Sequence, residues 1–192
     1  MITTPVPPAH ALRLNLAPYR NNAAFLAVDA TPGDGFDGFG RACPAEQIAG
    51  AAAVLGLPDD FGHGIPDNIA CEGQVLALDS PLLVSGIEVV GAGSGGAVSE
   101  SLFLAPGDDS SAIGAQVELS DFLSRRPVFD DTCFAHSSFL YDIGGRAEHG
   151  AEPRLWRSST WLTDPARCQE LILPVNPDLH IMGIWLIPAA GR

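Results

Sequence analysis

The chain has 192 residues, of which 46% are hydrophobic, so it can bury one sizeable core but is short for two. We therefore expect a single domain over residues 1–192, with residues 1–11 as an extended N-terminal segment. Acidic residues number 23 against 10 arginines and no lysine, for a formal net charge of −13. This charge argues against a nucleic-acid partner, since a phosphate backbone requires a basic surface. The absence of lysine rules out covalent catalysis by a lysine amine.

The N-terminal sequence lacks a basic segment followed by an apolar core, and no apolar run approaches the roughly 18 residues that span a bilayer. We therefore expect a cytoplasmic protein with no membrane partner. The cysteines are widely spaced and form no CxxC pair, which favours reduced thiols over a disulfide framework or a zinc site. They are Cys43, Cys71, Cys133 and Cys168. The oligomeric state, monomer or homodimer, stays open.

In chain order, the first predicted strand covers residues 12–16, where leucine alternates with polar residues. A glycine- and Asp-rich loop follows, and the segment PAEQIAGAAAVLG predicts a helix with Pro44 at its first position. Period-two runs at residues 83–89, 98–104 and 179–187 predict further strands, each with one buried face. The segment GAGSGGA (91–97) lacks nucleotide-binding spacing and is interpreted as a hairpin loop. These elements predict an all-β fold with at most short helices.

Four segments resemble, in the same order, motifs of a bacterial β-sandwich family of the galactose-binding, carbohydrate-binding-module type, often appended to glycoside hydrolases. They are LNLAPYRNNAAF (14–25), DGFDGFGRACPAE (34–46), NIACEGQVLAL (68–78) and NPDLHIMGIWLI (176–187). The resemblance implies a single antiparallel jelly-roll β-sandwich in which residues 12–18 lie beside residues 179–187. It also implies a sugar ligand.

A calcium site is one interpretation of the glycine-rich loop. Asp29, Asp34 and Asp37 supply the hard oxygen ligands that calcium prefers, although their spacing matches no defined calcium loop. The alternative is a solvated acidic loop without metal. No organic cofactor is expected.

Two tryptophans are candidates for a ligand-binding wall. Trp156 and Trp161 stand near Arg154 and Arg157, and aromatic rings with guanidinium groups bind sugars or flat ligands. Because the two tryptophans are five residues apart, an ideal strand points them to opposite faces, so we expect one of them in the core.

His136 is the best candidate for a general base, because an imidazole exchanges protons near neutral pH, and Glu72 is the second. The alternative for His136 is an ordinary hydrogen-bonded histidine. Glu46 and Tyr141 are candidate substrate-binding residues, with a structural hydrogen bond as the competing role for Glu46 and Glu72.

Two functions compete at this point. The first is a stand-alone cytoplasmic enzyme of specialised metabolism, a cyclase or isomerase without organic cofactor, which would fold a small molecule in an apolar pocket. The second, implied by the resemblance, is a carbohydrate-binding module without catalytic activity. The sequence favours the enzyme, because such a module acts by tethering a catalytic domain to its polysaccharide and no such domain is visible.

Overall fold

A computed structural model describes residues 10–108 and 110–190. Residues 1–9 of the predicted N-terminal segment lie outside the described residues. Helix α1 spans Ala45–Leu55 and a 3-10 turn spans Ala17–Tyr19. The strands are β1 (Leu12–Arg13), β2 (Phe25–Leu26), β3 (Cys43–Pro44), β4 (Ile69–Glu72), β5 (Val75–Gly93), β6 (Val98–Ala105), β7 (Ile113–Leu119), β8 (Thr132–His136), β9 (Phe139–Tyr141), β10 (Ala147–His149), β11 (Arg154–Ile172) and β12 (Val175–Pro188).

One large sheet of eight strands dominates the fold. Its order is β1-β12-β5-β11-β6-β7, with β4 also paired to β12 and β8 to β11, and every one of these pairs is antiparallel. Two small sheets, β9 with β10 and β2 with β3, complete the described architecture. The structure confirms a mainly β protein with one helix and a large antiparallel sheet.

The two longest strands bend where they contain proline. The register between β5 and β11 shifts twice, between Trp161 and Ala166 and again between Cys168 and Glu170. Proline lacks the N–H that a sheet ladder needs, and Pro165 falls within the first shift. Beyond the second shift, residues 170–172 of β11 pair with both β5 and β6.

The predicted contact between the first and last strands is confirmed. Arg13 lies opposite Trp185, and the N–H of Leu14 donates to the carbonyl of Ile184 at 2.9 Å. Beyond this point the chain leaves the sheet, since Ala17–Tyr19 forms a 3-10 turn.

The closing strand differs from its prediction in one respect. The period-two pattern predicts one buried face for residues 179–187, but every residue of this stretch is buried. The reason is that α1 covers the second face: a Cβ on Gly183 would lie 2.6 Å from the Trp185 ring and 3.2 Å from Leu55 of the helix. Gly183 therefore permits the close packing of helix on sheet.

The predicted helix is present, with Pro44 one position earlier than expected, at the N-cap. Ile48, Ala51 and Leu55 are buried at helical spacing and form its core-facing stripe. Gly56 ends the helix in the left-handed conformation, with φ of 63°. No helix among the described residues is long and apolar enough to cross a lipid bilayer.

Within the segment 91–97, residues 91–93 belong to β5 and residues 94–97 form a loop, which does not close the expected hairpin. Strand β11 lies between β5 and β6 in the sheet order. The loop is instead held by other parts of the chain, because the N–H of Gly93 donates to the carbonyl of Ser120 at 3.0 Å and that of Ser94 to the carbonyl of Asp178 at 2.9 Å.

Candidate functional site

An open groove of about 450 Å³ lies beside the first strand. Residues 12–15, 18 and 19 form one wall and residues 76–80, at the start of β5, form the other. We call it the β1–β5 groove. Its volume exceeds those of two other grooves described below, of about 110 and 350 Å³.

Local backbone chemistry sets the first wall of the β1–β5 groove. The side-chain oxygen of Asn15 accepts the N–H of Ala17 at 3.1 Å, a local turn that Asn favours. Pro18 then suits the opening of the 3-10 turn, and the N–H of Tyr19 donates to the carbonyl of Leu16 at 3.0 Å. These bonds place the Tyr19 ring on the groove wall.

The lining of the β1–β5 groove combines apolar surface with several kinds of hydrogen-bonding group. The Tyr19 hydroxyl accepts the N–H of Ala77 at 3.4 Å, which links the two walls. Asn15, Asp79 and Ser80 are exposed in the groove, and Arg13 lies at its edge on β1. The groove therefore offers an aromatic ring, an amide, a hydroxyl, a carboxylate and a guanidinium.

A smaller pocket of about 110 Å³ adjoins the groove and shares Arg13, Leu14 and Asn15 with it. Leu16, Arg20 and the helix end at Leu55 and Gly56 complete its lining. We call it the arginine pocket. Nη1 of Arg13 donates to the carbonyls of Ala53 and Val54 at 2.9 and 3.1 Å, and Nη2 of Arg20 donates to the carbonyl of Gly56.

The arginine pocket is held in place by the C-terminal end of α1. The last carbonyls of a helix lack partners within the helix and carry partial negative charge, so cationic donors stabilise them. Both arginines thus have a structural role. Together they also bring two guanidinium groups to one small pocket.

No protein-family model matches this chain, and no curated protein matches it. The geometry and chemistry of its residues are therefore the evidence for its function.

The two tryptophans divide between core and surface, as their spacing predicts. Trp156 is buried, and its indole N–H donates to the carbonyl of Asp121 at 2.9 Å. Trp161 is 64% exposed and lines the third groove, of about 350 Å³, at the β11 bend. Of the two, only Trp161 presents its ring to solvent, in what we call the Trp161 groove.

Glu46 and Tyr141, predicted as substrate-binding residues, are brought together. The Tyr141 hydroxyl donates to Oε1 of Glu46 at 3.3 Å, although the two residues are 95 positions apart. Glu46 lies in the first turn of α1 and is exposed, whereas Tyr141 is buried. Burial first, and then the charge of Glu46 and the hydrogen bond to it, raise the pKa of Tyr141 and keep its proton in place.

The two candidate acid–base residues lie in different strands. His136 is half-buried in β8, opposite Arg154 of β11. Glu72 is exposed at the end of β4, where its Oε2 accepts the side-chain N–H of Asn21 at 3.2 Å. Neither residue lines any of the three grooves.

Of the three candidate calcium ligands, Asp37 is committed to other contacts. It pairs with Arg41 and accepts the backbone N–H of Phe39 at 2.9 Å, and its side chain is 1% exposed. Asp29 and Asp34 are exposed. Among the described residues, no three acidic, histidine or cysteine side chains cluster as metal ligands. The calcium site stays a prediction.

A buried polar network that the sequence did not predict lies under the 91–97 loop. Asp67 accepts the N–H groups of Ala24 and Phe25 at 2.9 and 3.2 Å. The side-chain amide of Asn68 donates to Asp67 and to the side-chain oxygen of Asn22, at 2.9 and 2.8 Å. Asp67 and Asn68 are both fully buried.

The same network fixes the ring of His180. Because the Asn68 nitrogen already donates to oxygen acceptors, the Asn68 oxygen is the atom that faces Nδ1 of His180, at 2.9 Å. His180 therefore carries its proton on Nδ1 and presents the lone pair of Nε2 to the Ser94 hydroxyl at 3.2 Å. Burial lowers the pKa of His180 to about 4, so the ring is neutral at pH 7.

The Ser94 hydroxyl, the His180 imidazole and the Asn68 amide are linked by hydrogen bonds in the same order as the nucleophile, the imidazole and the orienting group of a catalytic triad. The surroundings nevertheless oppose nucleophilic catalysis. Oδ1 of Asp178 lies 3.4 Å from the Ser94 hydroxyl, and a carboxylate at this position disfavours the negative charge of an acyl-transfer transition state. We assign the Ser94–His180–Asn68 chain a structural role, tying β12, β4 and the 91–97 loop together.

Sequence reasoning missed Arg13, Arg20 and Tyr19 as site residues. The only local signal was the polar run within LRLNLAPYRNN, which carries two arginines, three asparagines and a tyrosine in 11 residues of a chain poor in basic groups. Their convergence depends on a helix end some 40 residues further along the chain.

Proposed function

We propose that this protein binds a carbohydrate in the β1–β5 groove. The observation that supports this most directly is the presence, in one open groove, of the Tyr19 ring beside Arg13, Asn15 and Asp79. A sugar has an apolar C–H face, which packs on an aromatic ring, and hydroxyl groups that both donate and accept hydrogen bonds. The groove supplies each of these contacts.

The hydrogen-bonding groups of the groove are distributed in a way that suits polyhydroxylated ligands. Arg13 and the amide nitrogen of Asn15 are donors, Asp79 is an acceptor and Ser80 is both. The Asn15 side-chain oxygen already accepts the N–H of Ala17. The side-chain nitrogen of Asn15 is therefore the group that can bind a ligand. Small polar sets on a largely apolar lining are typical of ligand sites.

The fold adds support by analogy. We propose that the large antiparallel sheet belongs to a jelly-roll sandwich of the galactose-binding type that the sequence resembles. The adjacency of β1 and β12, and the bends that let β11 pair with several strands, agree with such a sandwich. Modules with this architecture bind sugars, although a fold alone does not establish a function.

Isothermal titration calorimetry against a panel of neutral and acidic oligosaccharides tests the proposal. The key pair of variants is Tyr19→Leu, in the β1–β5 groove, and Trp161→Leu, in the Trp161 groove. We expect Tyr19→Leu to weaken binding about tenfold, equivalent to about 1.4 kcal/mol, and Trp161→Leu to leave it unchanged. The reverse pattern would move the ligand to the Trp161 groove, and binding of no oligosaccharide would end the proposal.

The second candidate function is the cofactor-independent cyclase or isomerase. The contact between the exposed Glu46 and the buried Tyr141 favours it, because the phenol hydroxyl at 3.3 Å positions a carboxylate that could act as a general base. His136 and Glu72 remain the acid–base residues proposed from the sequence. A bound small molecule that NMR shows to be chemically altered, with the conversion lost in Tyr141→Phe, would support this candidate over simple binding.

A further inference from the structure

We propose that the ligand of the β1–β5 groove carries a carboxylate, as the sugars of a polyuronic acid do, and that Arg13 and Arg20 bind this carboxylate in the arginine pocket. The inference rests on the proposed carbohydrate-binding function and specifies the class of sugar.

The first observation is that two cationic side chains converge on one pocket, and neither takes part in a described ion pair. Arg13 and Arg20 both donate to carbonyl oxygens at the end of α1, and a Cβ added to Gly56 would lie 2.9 Å from the Arg13 guanidinium. The ion pairs Arg41–Asp37 and Arg154–Glu152 involve neither of these two arginines. Two neighbouring arginines outside the described ion pairs are unusual in a chain with 23 acidic residues.

The helix end compensates only part of this positive charge. A helix C-terminus is equivalent to roughly half a negative charge, whereas the two guanidinium groups carry two positive charges. Burial is the largest cause that lowers the pKa of Arg20; the charge of Asp67 opposes this shift, and the charge of Arg13 adds to it as the smallest of the three causes. An anion between the two guanidinium groups would relieve their repulsion.

The second observation is that hydrogen-bond donors are left over in the pocket. Each guanidinium has five N–H groups, and the carbonyls of α1 occupy one nitrogen of each arginine. The Nε atom of Arg20 is buried and donates to no described residue. A carboxylate, with two oxygens that accept several hydrogen bonds, is a matching partner for guanidinium groups.

The third observation is the size and position of the arginine pocket. Its volume of about 110 Å³ accommodates a three-atom carboxylate and is about a quarter of the 450 Å³ of the β1–β5 groove. The pocket shares Arg13, Leu14 and Asn15 with the larger groove. A carboxylate in the pocket therefore leaves its sugar ring in the groove.

The distribution of charge along the groove gives the ligand a direction. Asp79 and Ser80 line the β1–β5 groove but not the arginine pocket. The side-chain carboxylate of Asp79 would repel an acidic group of the ligand and would accept a hydrogen bond from a sugar hydroxyl. The net charge of −13 does not prevent binding at the other end, because charges further away than the Debye length of about 8 Å are largely screened at physiological ionic strength.

The test compares two ligands that differ only in charge. Calorimetry is performed with trimers of galacturonic, glucuronic and mannuronic acid and with the same trimers converted to primary amides. We expect the wild-type protein to bind at least one acid trimer at least tenfold more tightly than its amide. Arg20→Gln, at a residue that lines only the arginine pocket, should reduce this preference several-fold while binding of the amide persists, and Arg13→Gln should weaken binding of the acid more than binding of the amide.

Arg125→Gln is the matched control, because Arg125 is exposed and donates only a single described hydrogen bond, to the carbonyl of Gly150 at 2.8 Å. It should keep the full preference for the acid. Melting temperatures show which variants are folded, and the exposed Arg13 provides a usable variant if Arg20→Gln unfolds.

Three outcomes would contradict the inference. Equal affinity of wild type for acid and amide trimers would reject the carboxylate but leave carbohydrate binding intact. Affinity for sodium acetate equal to that for the acid trimer would reduce the pocket to a general anion site. Absence of binding to every trimer and to neutral oligosaccharides would reject the proposed function itself.

Discussion

Asn68 presents its side-chain oxygen to Nδ1 of His180 at 2.9 Å, across 112 residues of sequence, and this contact joins the residue that precedes β4 to β12 through buried side chains. The other side of the same amide donates to Asp67 and to Asn22. One side chain thus satisfies polar groups from three separate parts of the chain.

Asn68→Ala should therefore be among the most destabilising polar substitutions. It leaves Nδ1 of His180 and the side-chain oxygen of Asn22 without the partner that Asn68 supplies, and each buried polar group left unsatisfied costs about 1–3 kcal/mol. We expect the free energy of unfolding to fall by about 3 kcal/mol in urea denaturation. Asn15→Ala, which removes one exposed local hydrogen bond, should cost less than about 1 kcal/mol. Similar losses in both variants would contradict the importance of the network.

The same network predicts opposing pH dependences. Burial raises the pKa of Asp67 to about 6 from an ordinary value of 3.8, so its contribution to stability is present below pH 3.8 and is lost as pH rises towards 6. Burial lowers the pKa of His180 to about 4 from 6.5, so its contribution is lost as pH falls from 6.5 towards 4. Between pH 4 and 6 the two effects largely cancel.

The substitution Asp67→Asn should remove the opposing effect of Asp67, so that the contribution of His180 to the pH dependence of stability can be measured. Relative to wild type, the unfolding free energy of this variant should rise between pH 4 and 6, by roughly 1–3 kcal/mol, because each unit of pKa shift corresponds to about 1.4 kcal/mol. His180→Gln should show the opposite change relative to wild type. Urea denaturation at pH 4, 5, 6 and 7 gives both difference curves. Flat curves for both variants would mean that neither group titrates as its burial implies.

The close packing of α1 on the sheet predicts a glycine requirement. A Cβ at position 183 would lie 2.6 Å from the ring of Trp185 in the same strand and 3.2 Å from Leu55 of α1, so Gly183→Ala should displace the Trp185 ring and disturb the packing of helix on sheet. Overpacking of a core typically costs about 1–3 kcal/mol. Gly33→Ala is the matched control, because no atom lies within 4 Å of its added Cβ. Differential scanning calorimetry should show a lower melting temperature for Gly183→Ala alone.

Local patterns carried the predictions that the structure confirms. The helix from Ala45 to Leu55 has helical spacing of its apolar residues and a glycine directly after it. The pairing of residues 12–14 with the closing strand came from the resemblance, and the division between Trp156 and Trp161 came from the alternation of a strand. These signals lie within a few neighbouring residues.

The parts that were not predicted depend on contacts between distant residues. Strand β5 begins at Val75, eight residues before the predicted start. Pro81 interrupts the alternating pattern of this strand, and the pattern alone cannot show that strand pairing continues on the N-terminal side of the proline. Arg13 and Arg20 form a pocket only because α1 ends beside them. No local pattern in residues 12–20 contains that information.

Burial of the cysteines predicts their order of reaction. Burial raises the pKa of Cys71 to about 12 and of Cys168 to about 11, and it raises that of Cys43 further, so all three stay as unreactive thiols at neutral pH. Cys133 is half-buried. Iodoacetamide labelling followed by peptide mass spectrometry should modify Cys133 first in the native protein. Denaturation without reductant should release four thiols, and a count of two or none would mean disulfides.

The glycine-rich loop supplies the last prediction. Gly35 and Gly40 adopt positive φ of 70° and 84°, and the N–H of Phe36 donates to the carbonyl of Arg41 at 2.6 Å, so the loop closes tightly on itself. This closure inserts Phe36 into the core, where its ring stacks on that of Phe122 with centroids 4.6 Å apart. The structural function of the loop is therefore to anchor one aromatic ring.

Variants of the buried Phe36 and the exposed Phe39 test whether the loop stabilises the core or acts through its surface. Phe36→Ala should lower the unfolding free energy by about 3–5 kcal/mol, the usual range for loss of a buried phenylalanine. Phe39→Ala, in the same loop but with Phe39 74% exposed, should change it by less than about 0.5 kcal/mol. If Phe36→Ala does not fold, Phe36→Leu should still show a smaller loss in urea denaturation. Equal stability of the Phe36 and Phe39 variants would mean that the loop does not anchor the core, and its acidic surface would then be the reason for its composition.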